Sequence, residues 1–226
     1  MNFTPGCRGC AQVVQNYAYH IVYSTGDALR VRVARKGFAM TPSTETYPID
    51  IAGLHRELPL FEVSRGTRIA VLNVLGDTEL VETASRALAQ KLEPVDYSVL
   101  VTAEAKSIPL VHALSVATGK PYIVLRKNYK PYMGDALKAE TLSITTGEPQ
   151  TLFLDAKDRA LVQNAKIVLL DDVISSGSTL QAMRAIMDRA GATVAAEAAI
   201  LTEGERENWH DIISLGHLPV FTDDAS

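Results

Sequence analysis

Residues 167–179 read IVLLDDVISSGST, and this stretch decides the fold class of the chain. Its first four residues are apolar and continuous, which predicts a strand buried on both faces. Two carboxylates, Asp171 and Asp172, come next, and five small residues follow at 175–179. A helical pattern of apolar residues then begins at Leu180. A buried strand, a polar loop and a helix in this order indicate one unit of a parallel α/β sheet.

The alternation of strand and helix extends along the chain on both sides of this stretch. Short apolar runs that predict further strands occupy residues 69–75, 97–102, 122–125 and 194–201. Helical spacing of apolar residues predicts helices that begin near residues 78, 109 and 180. Together these elements predict an α/β fold, with a doubly wound, mostly parallel twisted sheet and helices on both of its faces.

Residues 1–65 have a different pattern from the rest of the chain. They contain Gly, Pro and Thr together with short β-prone pieces, such as the alternating run at residues 29–33. We therefore expect a β-prone N-terminal appendage, or hood, over residues 1–65 and an α/β core over residues 66–226.

The composition limits the classes of function. The 226 residues include 22 Lys and Arg against 26 Asp and Glu, which gives a formal net charge of −4. Because nucleic-acid binders gain affinity by neutralising phosphates, this balance makes nucleic acid an unexpected partner. No apolar run approaches the ~20 residues that cross a bilayer, and the first residues lack the pattern of a secretory signal. We therefore expect a cytoplasmic protein with no membrane partner.

The two cysteines, Cys7 and Cys10, have the spacing of half a zinc site. The chain has no second cysteine pair to complete four ligands. Two thiols at a flexible terminus are therefore the favoured interpretation, and a zinc site shared across a dimer is the alternative.

The acidic pair and the small residues that follow it suit a sugar phosphate. Two adjacent carboxylates at the carboxyl end of a parallel strand can accept hydrogen bonds from the vicinal hydroxyls of a ribose. Backbone N–H groups of small residues can surround an anion, and the helix N-terminus adds a partial positive charge. The plainer alternative is a solvated loop with an Asp turn and a Ser or Thr N-cap. The order of four buried residues, two acids and five small residues favours the binding site.

This stretch resembles the phosphoribosyl-diphosphate (PRPP) signature of the type I phosphoribosyltransferases. The match runs from the apolar strand through the acidic pair to Thr179, and the resemblance covers roughly residues 69–205. The resemblance implies that Asp171 and Asp172 are the catalytic residues and hold the ribose hydroxyls. It also implies that the 5′-phosphate is bound by Ser175, Ser176, Gly177, Ser178 and Thr179.

The loop after the strand at residues 97–102 resembles the Glu-x-Lys-Gly and Glu-x-Arg-Gly loops of the purine-specific members, which bind pyrophosphate. Ser107 stands where those members usually carry glycine. The resemblance implies that pyrophosphate is bound by Glu104, Ala105, Lys106, Ser107, Arg126, Lys127 and Lys130. Without the resemblance, Glu104 and Lys106 are better explained as a surface ion pair. The polar residues 128–148 are expected to form a mobile loop that closes over the substrate.

The activity that the resemblance implies is transfer of the 5-phosphoribosyl group from PRPP to a purine base. The products are a purine nucleoside 5′-monophosphate and pyrophosphate, and the expected cofactor is Mg²⁺, held mainly by PRPP and not by protein ligands. Adenine is narrowly favoured as the base, with xanthine and hypoxanthine as alternatives, and residues 1–65 are expected to select it or to bind a partner. The rival function is a transcriptional regulator of the purine-operon-repressor type, which senses PRPP without turnover. The resemblance also implies a homodimer.

Overall fold

The computed structural model of the protein describes residues 41–142 and 149–223. Eleven strands and four α-helices form within this part of the chain. The strands are β1 (Thr41–Ile51), β2 (Leu54–Ser64), β3 (Thr67–Ala70), β4 (Val99–Ala103), β5 (Tyr122–Leu125), β6 (Leu137–Leu142), β7 (Pro149–Leu154), β8 (Lys166–Ile174), β9 (Thr193–Glu203), β10 (Ile213–Leu218) and β11 (Val220–Thr222). The helices are α1 (Thr78–Leu92), α2 (Ile108–Thr118), α3 (Arg159–Val162) and α4 (Ser178–Arg189).

Five parallel strands form the central sheet, in the order β10-β9-β8-β4-β5. The middle strand, β8, pairs with β4 through Val168 and Leu100 and with β9 through Leu170 and Ala198. Helices α1 and α2 pack on one face of this sheet and α4 packs on the other, so a buried apolar layer lies on each face. The α/β fold predicted from the sequence, with helices on both faces of a mostly parallel sheet, is confirmed.

The ends of α1 and α2 are marked by residues that favour helix termini. Asp77 caps α1, because its carboxylate accepts a 3.0 Å hydrogen bond from the N–H of Leu80. Pro109 lies in the first turn of α2, where no intrahelical N–H is needed, and Gly119 ends that helix. The buried faces follow the apolar spacing, with Leu80, Val81, Ala84, Leu88 and Leu92 in α1 and Leu180, Met183, Ile186 and Met187 in α4. Within residues 41–142 and 149–223, no helix is long and apolar enough to cross a bilayer.

A second sheet contains four strands in the order β1-β2-β3-β11. In it, β3 pairs antiparallel with both β2 and β11. The prediction of a parallel strand at residues 69–75 is therefore wrong, since only its first two residues belong to a strand, β3. The run is apolar for another reason: Leu72 and Val74 are buried in the core from a segment that lies outside the described strands.

This four-stranded sheet combines strands from both sides of residue 65, the predicted boundary between the appendage and the core. β1 and β2 come from the predicted appendage, whereas β3 and β11 come from the predicted core. The described residues from Pro42 onward belong to one compact unit. Residues 1–40 lie outside the described part of the chain, so the division into 1–65 and 66–226 stays a prediction.

The polar stretch that was expected to be a mobile loop, residues 128–148, contains a strand. β6 pairs antiparallel with β7, and Ala139 lies opposite Leu152. Both residues, together with Leu154, are buried in the apolar layer that includes α4. The hairpin is therefore anchored to the core through these strands. Residues 143–148 lie outside the described part, and closure over a substrate stays a prediction.

Candidate active site

The acidic pair lies within the middle strand of the parallel sheet. Strand β8 continues through Asp171 and Asp172 to Ile174, so the acids are part of the strand and do not follow it. Asp171 pairs in register with Ala199 of β9, and Asp172 is 7% exposed. Both carboxylates are therefore near the carboxyl ends of the parallel strands, where open α/β sheets bind their ligands.

The hydroxyl of Ser107 connects the acidic pair to the loop after β4. Its Oγ lies 2.7 Å from Asp171 Oδ1 and 3.2 Å from Asp172 Oδ1. The same Oγ accepts a 3.0 Å hydrogen bond from the backbone N–H of Asp172, which also donates to Asp171 Oδ1 at 2.9 Å. Ser107 is 1% exposed. The segments predicted to bind ribose and pyrophosphate are thus joined by a buried cluster of hydrogen bonds.

Two negative charges in this position oppose each other. Burial, and then the neighbouring carboxylate of Asp172, raise the pKa of Asp171 to about 7. The hydrogen bond from Ser107 acts in the opposite direction, because it stabilises the charged carboxylate. No basic side chain of the described residues contributes to the shift. The pair is therefore suited to a ligand that brings hydroxyl donors or positive charge to these oxygens.

The loop after β8 borders an open pocket of about 190 Å³, lined by Asp171 and residues 173–180. Gly177 is the N-cap of α4 and has a φ of +72°, in the left-handed region that favours glycine. The N-cap residue is a glycine, so the alternative of a Ser or Thr N-cap is wrong. Ser176 Oγ donates to Ser178 Oγ at 3.1 Å and accepts a long, 3.4 Å hydrogen bond from the N–H of Ser178. The pocket therefore lies at a helix N-terminus whose first N–H groups suit an anion.

Trp209 packs against the same loop. Its indole N–H donates a 2.8 Å hydrogen bond to the carbonyl of Glu203, at the end of β9. A Cβ atom on Gly177 would lie 3.1 Å from Trp209 Cη2. The contact gives a second reason for glycine at this position. Sequence reasoning missed Trp209, because a single tryptophan outside any periodic pattern carries no signal of what it packs against.

The loop after β4 carries Glu104, whose carboxylate is held by the end of β5. Arg126 Nε donates to Glu104 Oε2 at 2.5 Å, and the backbone N–H of Lys127 donates to Oε1 at 2.5 Å. The alternative of a Glu104–Lys106 surface pair is therefore wrong, because the partner of Glu104 is Arg126. The peptide bond between Glu104 and Ala105 is cis.

Positive charge surrounds this loop. Lys106, Lys127 and Lys130 are exposed, and their side chains form no ion pair with any residue in the described ranges. Arg126 also donates to Tyr132 Oη at 3.2 Å, a contact that the sequence did not indicate. Among the predicted site residues, hydrogen bonds join Glu104 to Arg126 and Lys127, and Ser107 to Asp171 and Asp172. A third group joins Ser176 to Ser178.

Two expectations concern metal ions. Among the described residues, no group of three or more His, Cys, Asp or Glu side chains is placed to hold a metal ion. Mg²⁺ commonly keeps several waters and takes oxygen ligands from substrate phosphates, and its binding with PRPP stays a prediction. Cys7 and Cys10, the candidate zinc ligands, lie outside the described residues.

Comparison with known proteins assigns the family. Residues 75–214, more than half of the chain, match the family model of the phosphoribosyl transferase domain. The chain therefore belongs to the phosphoribosyltransferase family. It is an enzyme of the purine branch of the type I phosphoribosyltransferases, as the resemblance of residues 167–179 indicated.

Relatives by sequence carry the name hypoxanthine/guanine phosphoribosyltransferase. The chain is 33% identical over 134 residues to that of Methanococcus vannielii, a match that covers 59% of this chain and 68% of that protein. It is 35% identical over 106 residues to that of Methanocaldococcus jannaschii, which covers 47% of this chain and 54% of that protein. The chain therefore spans between about half and two thirds of the length of these relatives.

Solved structures with a similar fold include adenine phosphoribosyltransferases. The enzyme of Giardia lamblia complexed with 9-deazaadenine has a TM-score of 0.55 and 16% identity, covering 76% of this chain and 93% of that one. The enzyme of Trypanosoma brucei in complex with AMP, pyrophosphate and ribose-5-phosphate has a TM-score of 0.53 and 18% identity, covering 66% of this chain and 70% of that one. At these identities the similarity concerns the fold alone, and it confirms the predicted type I fold.

Proposed function

We propose that the protein transfers the 5-phosphoribosyl group of PRPP to a ring nitrogen of a purine base, as a purine-salvage enzyme. One observation carries the proposal. The acids Asp171 and Asp172 lie near the end of the middle strand, a few residues before the N-terminus of α4, whose N-cap residue is Gly177. This order supplies acceptors for ribose hydroxyls and, a few residues later, N–H donors for a phosphate.

Asp171 and Asp172 have two roles in this reaction. Their oxygens accept hydrogen bonds from the two ribose hydroxyls and so orient the sugar. When the bond between C1′ and the diphosphate oxygen breaks, its electron pair leaves with pyrophosphate and positive charge develops on the ribose ring. The two carboxylates stabilise that charge. The purine nitrogen then forms the new bond to C1′ and loses its proton.

The 5′-phosphate is proposed to bind in the pocket at the start of α4. Backbone N–H groups and small side chains surround the anion there, and the helix N-terminus favours negative charge. Because this phosphate is remote from the reacting bond, its binding energy fixes the position of C1′. The residues assigned to it are Ser175, Ser176, Gly177, Ser178 and Thr179.

The diphosphate leaving group is proposed to bind between the loop after β4 and the end of β5. Arg126, aligned by Glu104, offers paired N–H donors that match phosphate oxygens. Further contacts are assigned to the exposed Lys106, Lys127 and Lys130 and to the loop residues Ala105 and Ser107. Mg²⁺ bound to the diphosphate supplies neutralisation of the charge that develops on the leaving group.

For the base, we rank hypoxanthine first and adenine second. The relatives at 33% and 35% identity are named for hypoxanthine and guanine, whereas the adenine enzymes are similar in fold alone. The sequence of the loop at residues 104–107 favoured adenine only narrowly, so the relatives reverse the rank. Guanine, which the names of the same relatives include, and xanthine are the other two bases to assay.

A homodimer is also part of the proposal, since the resemblance to type I enzymes implies a site completed by a neighbouring subunit. Size-exclusion chromatography with light scattering tests it. We expect twice the 24.5 kDa mass of the chain, and a monomer at micromolar concentration would contradict the expectation.

The test of the activity measures pyrophosphate release by the purified full chain with PRPP, Mg²⁺ and one base at a time. The bases are hypoxanthine, adenine, guanine and xanthine, and the nucleotide product is identified by mass. Release with one of these purines and formation of the matching 5′-monophosphate are the expected result. Tight PRPP binding with no release from any base would overturn the proposal and favour a PRPP-sensing regulator.

A further inference from the structure

Ser107 has a more specific environment than the other residues assigned to pyrophosphate. Its hydroxyl has a single proton to donate. Asp171 Oδ1, at 2.7 Å, is a better acceptor for that proton than Asp172 Oδ1, at 3.2 Å. A lone pair of the same oxygen accepts the backbone N–H of Asp172 at 3.0 Å. The side chain is 1% exposed, so its oxygen is directed at the acidic pair and away from solvent.

The backbone of Ser107 is held as firmly as its side chain. Ser107 is the N-cap residue of α2, and its carbonyl accepts a 2.9 Å hydrogen bond from the N–H of Val111. It is also the last residue of the loop that begins at Glu104. One residue therefore links a helix, the loop assigned to pyrophosphate and the acids assigned to ribose.

We propose that Ser107 is a positioning residue, which fixes the Asp171 carboxylate relative to the pyrophosphate-binding loop so that ribose and diphosphate are held in one geometry. The proposal rests on the function proposed above. It assigns the Ser107 side chain to the acidic pair, whereas the resemblance had assigned the residue to pyrophosphate. Without the hydroxyl, Asp171 Oδ1 keeps one donor among the described residues, the N–H of Asp172.

The groups around Asp171 predict a change in its proton affinity as well. Asp172 faces it from the same strand and Ser107 faces it from the N-terminus of α2. On β4, the hydroxyl of Thr102 donates to the carbonyl of Leu170 at 2.7 Å and is not directed to the acids. The Ser107 hydroxyl is therefore the one side-chain donor to the pair among the described residues. Because it stabilises the charged form, its removal raises the pKa of Asp171.

The variants are Ser107→Ala and Ser107→Gly, with Ser85→Ala as the matched control. Ser85 is also 1% exposed, and its hydroxyl donates to a helix carbonyl, that of Glu82, at 2.9 Å. Thermal melting establishes that each variant is folded. If Ser107→Ala does not fold, Ser107→Gly provides the same comparison, since it also lacks the hydroxyl.

The first readout is turnover as a function of pH. Because both Ser107 variants lose a hydrogen bond to a charged group, we expect kcat/KM for PRPP to fall by about tenfold to a hundredfold in each. The acid limb of the profile is expected to move upward by about one pH unit, a change that lost packing alone does not produce. The control is expected to keep the wild-type profile. Ser107 variants that match the control in both quantities would overturn the proposal.

The second readout separates this proposal from the proposed function. The carboxyl ¹³C resonance of Asp171 is titrated in the ligand-free protein, so no substrate or activity is required. We expect a higher titration midpoint in Ser107→Ala than in wild type, and an unchanged midpoint would overturn the contact. If wild type releases no pyrophosphate with any base, the proposed function fails while this titration still tests Ser107.

Discussion

Replacement of Gly177 by alanine tests the pocket at the start of α4. Gly177 has a φ of +72°, and the Cβ of an alanine would lie 3.1 Å from Trp209 Cη2. The left-handed backbone costs an alanine about 1 kcal/mol. The indole is held by its hydrogen bond to Glu203, so the ring resists displacement and the close contact adds about 1 kcal/mol or more. We expect a total loss of about 2 kcal/mol in the free energy of unfolding.

The control for this prediction is Gly191→Ala, beyond the other end of α4. Gly191 has a φ of +77°, and a Cβ there would meet nothing within 4 Å. It therefore reports the backbone cost alone, expected at about 1 kcal/mol by urea denaturation. Gly177→Ala is expected in addition to raise the KM for PRPP by about tenfold, because the backbone that is proposed to surround the 5′-phosphate must shift. Equal losses in the two variants, with an unchanged KM, would refute this account of the loop.

Two further predictions concern charge. Glu104→Gln removes the carboxylate that aligns Arg126, and we expect kcat/KM for PRPP to fall by about tenfold. The control is Glu82→Gln, which removes an exposed carboxylate paired with Arg86 at 3.2 Å and is expected to keep wild-type kinetics. Equal kinetics in these two variants would remove Arg126 from the proposed leaving-group site. Because the pKa of Asp171 is raised to about 7 in the folded state, its contribution to stability is complete below its ordinary pKa and is lost as pH rises through 7. The free energy of unfolding is therefore expected to fall by about 2.5 kcal/mol between pH 5 and pH 8 and to fall less in Asp171→Asn, and a variant slope that equals the wild-type slope would contradict the shift.

The stretch at residues 167–179 shows how much a local pattern can predict. Its strand, acids, small residues and helix are consecutive, so their order along the chain is also their order at the site. The helix faces were predicted for the same reason, because apolar spacing within one helix needs no knowledge of its neighbours. The local sequence was therefore enough to predict the fold class and the positions of the acidic pair and of the loop that is proposed to bind phosphate.

Other features depend on residues that meet only after folding. Glu104 and Arg126 follow the neighbouring strands β4 and β5 and form an ion pair only once those strands are paired. The sequence favoured Lys106 as the partner of Glu104 because it is close along the chain. The contact of Trp209 with Gly177 is equally remote in sequence. Around Leu72 and Val74 the local pattern predicts too much structure. The apolar run predicts a strand, whereas both residues are buried outside the described strands.

Asp171 and Asp172 are proposed to bind and activate the ribose of PRPP. The most direct measurement compares wild type with the double variant Asp171→Asn and Asp172→Asn in PRPP-dependent pyrophosphate release, with the favoured purine and Mg²⁺. We expect the double variant to remain folded by circular dichroism and to lose turnover. Turnover at the wild-type rate in a folded double variant would contradict this proposal.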